Sequence, residues 1–254
     1  MADLNSLVEQ AAQACARSRR GVALTGAGIS IESGIPPFRG KGGLWEKIDP
    51  MKYAHIDALE SNPAEVWQVL FLGIADLLTK AEPNEGHKGL RQLEQMGIVQ
   101  TIITQNVDGL HQAAGSSDVI EFHGTHAKLR CMSCDQRYSW EAVSLETVPP
   151  KCGCSGTLRP DVIMFGEMID MGLLHRSQKL SATCDLMLVI GTSATVEPAS
   201  YLPVIARHGG AFVIEINPEP TPLTNRISNL SLLGPAGDIM QQIVGKVSEL
   251  QKSS

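Results

Sequence analysis

The 254-residue sequence has no excess of positive charge. Its 21 Lys and Arg residues stand against 27 Asp and Glu residues, giving a formal net charge of −6 at pH 7. Proteins that bind nucleic acid through an extended surface carry a basic patch that neutralises phosphates. The composition therefore disfavours that class, and we expect no direct nucleic-acid partner.

Long apolar runs are also missing. The apolar run Leu186–Ile190 has only the length of a β-strand, whereas a membrane-spanning helix needs roughly 20 such residues. The first residues lack the basic start and apolar stretch of a secretory signal. We therefore expect a cytoplasmic protein with no membrane partner. Because the cytoplasm is reducing, the six cysteines are not interpreted as a disulfide set.

Six short aliphatic segments have the character of buried strands, and each ends in small or polar residues. They are Val22–Thr25, Ile98–Thr104, Asp118–Phe122, Leu186–Ile190, Phe212–Ile216 and Leu230–Leu233. Helical segments, such as Gly86–Gln95 and Ala199–His208, separate several of them. This alternation predicts an α/β fold with a parallel sheet. Ligands of such sheets bind at the carboxyl ends of the strands, so the polar ends predict one shared crevice.

A Gly-x-Gly loop, Gly26-Ala27-Gly28-Ile29, follows the first strand. Glycines let backbone N–H groups approach a pyrophosphate at a helix start. A third glycine is missing, because position 31 is Ile, and no second strand ending in an acid follows about 20 residues later. These absences disfavour an ordinary hydride-transferring dehydrogenase.

The loop that follows, residues 33–45, is rich in Pro and Gly and carries Phe38, Arg39 and Trp45. Long loops at the ligand edge of a sheet are commonly lids. In that interpretation Arg39 would reach a phosphate and Phe38 would cover a reactive ring. The alternative is a surface loop with Phe38 tucked into the core.

A dense polar segment, Thr104-Gln105-Asn106-Val107-Asp108-Gly109-Leu110-His111, comes directly after a predicted strand. Two interpretations are open at this point. Its side chains either cap the helix that follows or face a polar ligand at the end of the sheet.

Four cysteines form two close pairs, Cys131/Cys134 and Cys152/Cys154, separated by 17 residues. Such pairs in a reducing compartment indicate a tetrahedral Zn²⁺ site, and four thiolates leave no open position, so the metal would be structural. The single residue between Cys152 and Cys154 is shorter than usual, and His126 is a conceivable substitute ligand. The remaining cysteines, Cys15 and Cys184, are expected in the core.

Taken together, these motifs resemble the sirtuins, NAD-dependent protein lysine deacylases of the bacterial and archaeal type. The resemblance runs in order from about residue 20 to residue 240. It rests on the glycine loop, the cysteine pairs and several further segments, which are Ser33–Gly40, Thr104–His111, Phe122–Gly124, Leu158–Glu167, Gly191–Ser193 and Asn217–Glu219.

The resemblance implies a Rossmann-like parallel-sheet domain with a smaller zinc-binding domain and a helical insert. We expect residues 1–40, 86–125 and 168–254 in the NAD-binding domain, 41–85 in the helical insert with the NAD lid, and 126–167 in the zinc ribbon. NAD as co-substrate and structural Zn²⁺ are the implied cofactors, and acylated lysines of proteins or peptides are the implied partners.

The resemblance also implies roles for individual residues. His123 matches the catalytic base, with Asn106 beside it at the reaction centre. The expected NAD contacts are Gly26, Ala27, Gly28, Ile29, Pro37, Phe38, Arg39, Trp45, Gln105, Asn106, Val107, Asp108, Gly191, Thr192, Ser193, Asn217, Pro218, Glu219 and Ala236. The expected peptide contacts are Val162, Phe165, Gly166, Glu167 and Val196.

The acyl group is predicted from an absence. Sirtuins that prefer acidic acyl chains share a Tyr-x-x-Arg pair in the helical insert, whereas no Arg occurs here between Arg39 and Arg91. A buried acyl carboxylate would lack its charge partner, so acetyl or another apolar acyl group is expected. The alternatives are ADP-ribosyl transfer from the same NAD site and a non-catalytic NAD-binding module.

Overall fold

The computed structural model describes residues 3–40 and 42–252. The strands, in chain order, are β1 (Gly21–Thr25), β2 (Val99–Thr104), β3 (Val119–Glu121), β4 (Gly124–Cys131), β5 (Arg137–Ser139), β6 (Leu158–Val162), β7 (Leu186–Ile190), β8 (Phe212–Asn217) and β9 (Leu230–Leu233). All six segments predicted as strands lie in one sheet, with ends that shift by one residue at most.

The α-helices of the described residues are α1 (Leu4–Arg17), α2 (Leu44–Lys47), α3 (Pro50–Tyr53), α4 (Ile56–Ser61), α5 (Pro63–Val66), α6 (Leu72–Leu78), α7 (Glu85–Gln95), α8 (Leu110–Ala113), α9 (Met171–Thr183), α10 (Leu202–His208) and α11 (Ala236–Lys252). Short 3₁₀ segments cover Ala27–Ser33, Trp140–Ala142 and Ala199–Tyr201, and Trp67–Phe71 is a π-helical turn. Among the described residues, no helix is both long and apolar enough to cross a membrane.

The large sheet is parallel, with the strand order β3-β2-β1-β7-β8-β9. The chain builds outward from β1 to β3 and then returns to the other side of β1. The strand order therefore reverses between β1 and β7, where α/β sheets bind their ligands. Thr25, the last residue of β1, is level with Thr104 of β2 and Ile190 of β7. The predicted crevice lies at this switch point.

Two apolar layers cover the faces of the large sheet. On one face α1, α7 and α11 pack on the strands, with Val8, Leu90 and Ile243 buried. On the other face α9 and α10 contribute a core around Met187 and Leu202. A strand that is buried on both faces has apolar residues at nearly every position. The alternation of apolar and polar residues that is typical of half-exposed strands is therefore missing from this sheet.

A second, antiparallel sheet has the order β5-β4-β6. It shares a core with the helical segment that spans α2 to α6: Trp67 and Phe71 pack with Leu129 and Leu158. The Trp67 indole N–H donates to the Leu158 carbonyl over 2.9 Å. The helical segment and the cysteine-bearing sheet are therefore joined by common packing. The exact bounds of three domains stay a prediction.

Candidate active site

The backbone of the glycine loop packs directly on the backbone at the end of β7, next to the switch point. The Gly26 amide donates to Ile190 O over 3.1 Å, and the Gly28 amide donates to Gly191 O over 2.7 Å. A Cβ atom on Gly28 would lie 2.6 Å from Gly191 Cα, and one on Gly26 would lie 2.8 Å from Thr192 Cβ. Larger residues would therefore push the loop away from β7. The helical turn that begins at Ala27 ends at Gly34, which has φ of 84°.

Asn106 and Asp108 face this loop from β2's side of the crevice. Asn106 is 5% exposed, and its Nδ2 donates to Gly26 O (3.1 Å) and Ser30 Oγ (3.0 Å). The Ser30 hydroxyl in turn donates to Asp108 Oδ2 over 2.7 Å, while Asp108 Oδ1 accepts from the Leu110 amide over 3.0 Å. Asp108 thus caps the start of α8 and also faces the crevice. Asn106 binds the glycine loop.

A buried polar layer supports these two residues from behind. The Thr25 hydroxyl donates to Thr104 Oγ1 over 2.9 Å, and His111 Nε2 lies 2.9 Å from Thr25 Oγ1. The rings of His87 and His111 have centroids 4.9 Å apart. Burial lowers the pKa of His87 to about 4 and that of His111 to about 3, so both rings are neutral at pH 7.

This layer contains the residues that sequence reasoning missed. Ser30 directly follows the glycine loop, and no sequence pattern indicates its bonds to Asn106 and Asp108. His87 belongs to no motif, yet its Nε2 lies 3.5 Å from Ser30 Oγ. His111 supports the end of β1 through Thr25. No motif spacing links His87 to the crevice, because the pairing is tertiary.

His123 follows β3 and is held in one tautomer. Its Nδ1 lies 3.2 Å from Gln105 O. Because a carbonyl oxygen can only accept, Nδ1 carries the proton and Nε2 keeps its lone pair. Burial lowers the pKa of His123 below its usual value of 6.5, and the bond to Gln105 O opposes this shift. The side chain of Gln105 donates to Thr192 Oγ1 over 3.0 Å and so bridges β2 and β7.

The segment after the glycine loop folds back on itself and covers the crevice. The amides of Leu44 and Trp45 donate to the carbonyls of Pro37 (2.8 Å) and Phe38 (3.0 Å). The Phe38 and Trp45 rings stack at 5.3 Å, and Trp45 lies 6.3 Å from Phe165. Arg39 is exposed. The alternative of Phe38 buried in the core is not observed, because this ring is half-buried at the cleft.

A cleft of about 440 Å³, which includes its open mouth, lies between this segment and the polar residues. Apolar side chains form most of its wall, and the polar groups of Ser30, Asn106 and Asp108 lie together within it. Its lining residues are Ala27, Ser30, Ile35, Pro36, Phe38, Leu44, Ile74, Leu77, Leu78, Asn106, Val107 and Asp108.

The remaining expected NAD contacts follow the ends of β7, β8 and β9. Asn217 Nδ2 donates to Glu219 O over 2.7 Å, and Pro218 and Glu219 are exposed. Ser193 is exposed beside the buried Thr192, and Ala236 is buried at the start of α11. These residues therefore lie along the same sheet edge as the glycine loop.

Four of the five expected peptide-contact residues lie in the segment that begins at the last residue of β6 and bonds to His123. The Ile163 amide donates to His123 O over 2.8 Å, which brings Val162–Glu167 beside the histidine. Gly166 has φ of 86°, a conformation that favours glycine. Val196 is half-buried in the loop after β7.

The four cysteines come together with all Sγ atoms within 4.8 Å of one another. Cys131–Cys154 and Cys134–Cys152 are each 3.6 Å apart, and Cys154–Cys134 is 3.4 Å. A Zn–S length near 2.3 Å implies Sγ–Sγ separations of about 3.8 Å in a tetrahedron, so the donor set fits zinc. His126 is not in this cluster; its ring packs on Trp140 at 4.6 Å.

The Sir2 family model matches residues 26–198. The NAD-dependent protein deacylase 2 of Pyrobaculum aerophilum is 44% identical over 233 residues, covering 91% of this chain and 92% of the relative.

Two solved structures show the same fold. A Sir2 homologue–NAD complex is 42% identical with a TM-score of 0.89, covering 95% of this chain and 94% of the other. A Sir2 complex with a deacetylated p53 peptide and 3′-O-acetyl ADP ribose is 32% identical with a TM-score of 0.86, covering 94% and 98%. The geometry of the crevice and these matches together show that the chain belongs to the Sir2 family.

Proposed function

We propose that this protein is an NAD-dependent protein lysine deacylase that transfers the acyl group from lysine to ADP-ribose. The observation that carries the proposal is His123, whose Nε2 is left as a free base beside Gln105, at the carboxyl edge of the large sheet, by the bond from Nδ1 to Gln105 O. Family membership and the NAD-dependent deacylase name of the Pyrobaculum aerophilum relative support it.

In this proposal NAD lies along the carboxyl edge of the large sheet. The backbone of Gly26–Ile29 receives the pyrophosphate, because glycine lets the chain approach it closely. The adenosine half is bordered by Gly191–Ser193, Asn217, Pro218, Glu219 and Ala236. Pro37, Phe38, Arg39 and Trp45 form the lid, and Gln105–Asp108 surround the nicotinamide end.

The reaction places two demands on the protein. It must hold the oxygen of the acyl-lysine amide next to C1′ of the nicotinamide ribose, which is a task of proximity and orientation. The C–N bond to nicotinamide breaks as the C1′–O bond forms. A base must then take the proton of a ribose hydroxyl so that this oxygen can attack the acyl carbon.

His123 suits the second task because its pKa is lowered and its ring is neutral at pH 7. Asn106 and Asp108 serve the first task by holding the nicotinamide end of NAD. The lysine amine then leaves the acyl carbon, one water molecule adds to that carbon, and its bond to the C1′ oxygen breaks. The products are therefore nicotinamide, free lysine and 2′-O-acyl-ADP-ribose. The peptide enters beside Val162, Phe165, Gly166, Glu167 and Val196.

Zinc has a structural part in the proposal. Cys131, Cys134, Cys152 and Cys154 would hold Zn²⁺ and supply folding free energy to the small sheet. The four thiolates fill a tetrahedral shell and leave no position for substrate.

The proposal is tested by incubating the protein with NAD and an acetyl-lysine peptide and weighing all products by mass spectrometry. We expect nicotinamide, the deacetylated peptide and acetyl-ADP-ribose in equal amounts. ADP-ribosyl transfer would instead add the mass of ADP-ribose to a protein or peptide. A non-catalytic NAD-binding module would leave NAD and peptide unchanged, and either outcome would contradict the proposal.

A further inference from the structure

The segment Val162–Glu167 is tied to two other parts of the molecule through its backbone. The Ile163 amide donates to His123 O, as described above. The Phe165 amide donates to Ala54 O, and the Ile56 amide donates to Phe165 O, each over 2.9 Å. The position of this segment therefore sets the distance between the peptide groove and His123.

The carboxylate of Glu167, the last residue of the segment, binds groups of the protein itself. Oε2 accepts from the Met164 amide over 2.9 Å, and Oε1 accepts from Nη2 of Arg159 and, over 3.3 Å, from Nη2 of Arg130. The Glu167 side chain is only 16% exposed. Both of its oxygens are thus engaged inside the protein.

Arg159 lies on β6 and is 2% exposed. Its Nη1 donates to Val162 O over 2.8 Å, while its Nη2 binds Glu167. One planar guanidinium therefore holds the first and the last residue of the segment at once. A Lys ammonium lacks this fixed fork of donors, so it cannot reproduce both contacts in the same geometry.

We propose that Arg159 and Glu167 are positioning residues that fix the peptide groove relative to His123, and that Glu167 does not select substrates by charge. This inference rests on the proposed function and refines the expectation that Glu167 contacts the peptide. Because two guanidinium groups neutralise the carboxylate, a basic residue beside the acyl-lysine finds no unpaired charge there.

Two consequences separate positioning from direct contact. A displaced segment weakens the binding of every acyl peptide by a similar factor, whatever charges flank the acyl-lysine. In the proposed function NAD binds at the glycine loop and at Gln105–Asp108, outside this segment, so its KM is expected to change little.

The test uses Glu167→Gln, which keeps the shape of the side chain, and Arg159→Lys. Arg137→Lys is the matched control, because Arg137 pairs with Asp161 on the same small sheet but is 50% exposed. KM and kcat are measured with two acetyl-lysine peptides, one flanked by Lys and Arg and one flanked by Asp and Glu. Zinc content and melting curves establish that the variants fold.

We expect both test variants to raise the KM of both peptides by about 10- to 100-fold. Because the peptide is also displaced from His123, kcat should fall as well. The KM of NAD should change far less, and Arg137→Lys should match the wild type. A rise confined to the basic-flanked peptide would show that Glu167 contacts substrate directly, and an unchanged KM would show that the pair positions nothing. Either result overturns the inference.

Hydrogen exchange of residues 162–167 separates this inference from the proposed function. Faster exchange in Glu167→Gln than in Arg137→Lys is expected, because the Met164 amide loses a charged acceptor. Equal exchange would contradict the inference even if the wild type deacylates peptides. Wild-type protein that leaves NAD and peptide unchanged would instead contradict the proposed function. If Arg159→Lys does not fold, Glu167→Gln alone decides.

Discussion

At the scale of single residues, the orientation of His123 depends on one backbone carbonyl. The bond to Gln105 O joins the end of β3 to the end of β2, two strands that pair in the sheet. A histidine taken alone in a sequence is more often structural than catalytic. Here the tautomer and the burial favour a base.

We expect His123→Ala to lower kcat by about 10²- to 10⁴-fold while NAD still binds, since general-base catalysis is typically worth that much. Steady-state turnover and NAD titration measure the two effects. His175→Ala, an exposed residue on α9, is the control and should behave as wild type. A folded His123→Ala variant with wild-type turnover would remove His123 from the mechanism.

The same residue predicts the acid side of the pH profile. Because the pKa of His123 is lowered below 6.5, the neutral base persists to lower pH than a free histidine would allow. The decline of kcat/KM on acidification should therefore have its midpoint below pH 6.5.

Asp108 caps the start of α8 and also lines the cleft, two positions that the sequence presented as alternatives. As a helix cap alone, its loss would cost roughly 0.5–2 kcal/mol of stability. We expect Asp108→Asn to keep the fold and the zinc but to weaken NAD use, because one carboxylate acceptor becomes an amide. NAD titration with melting curves tests this.

Asp49→Asn is the matched control for this change. The Asp49 carboxylate caps α3 by accepting from the Met51 amide over 2.9 Å. If both variants lose only stability and use NAD equally well, Asp108 is merely a cap.

At the scale of elements, the aliphatic runs of the sequence were sufficient to predict the strands. They were not sufficient to predict which distant residues come into contact around the sheet. Buried parallel strands are continuous aliphatic runs, so their existence could be predicted. The bond from Ser30 to Asp108 spans 78 residues, and the approach of His87 to Ser30 spans 57. Such contacts depend on how helices dock on the sheet, which no local pattern encodes.

The short second cysteine pair shows a similar limit. The Ser155 amide donates to Cys152 O and the Cys152 amide donates to Gly156 O, each over 2.8 Å. This turn brings Cys154 back to the first pair in spite of the single intervening residue. The four ligands were predictable from spacing, whereas the turn that permits them was not.

We expect about one Zn²⁺ per chain, held by these four thiolates. Cys131→Ala should lose the metal, unfold the small sheet and abolish activity indirectly. Metal analysis and circular dichroism test this, with Cys15→Ala as a core cysteine far from the site. Active, folded protein without zinc would contradict the assignment.

The helical segment predicts the acyl preference. Residues 40–90, which include this segment, contain no Arg that could pair with an acyl carboxylate. Deacetylation and depropionylation should therefore exceed desuccinylation widely in kcat/KM, because an acyl carboxylate would be desolvated without a cation. Comparable rates on acetyl and succinyl peptides would show that another cation serves the pocket.

At the scale of the whole molecule, the buried histidines behind the crevice couple stability to pH. His87 and His111 have pKa values of about 4 and 3 when folded, against roughly 6.5 when unfolded. Below pH 6.5 the unfolded chain binds more protons than the folded one, so stability falls as the pH drops toward 4.

Urea unfolding at pH 7 and pH 5 tests this coupling. We expect a lower midpoint at pH 5, and a smaller pH effect in His111→Asn than in the wild type. His175→Asn should retain the full effect. Identical pH dependence in both variants would contradict a role for the buried pair.

The reversal of strand order also has a consequence for synthesis. β1 is made early, but its neighbour on the crevice side, β7, begins at Leu186, 165 residues after Gly21. A nascent chain on the ribosome can pair β1 with β2 and β3 while the other edge of β1 stays open. The glycine loop gains its support from Gly191 only when three quarters of the protein has emerged. Until then that open edge is available to other strands, which makes unfinished chains the species most exposed to aggregation.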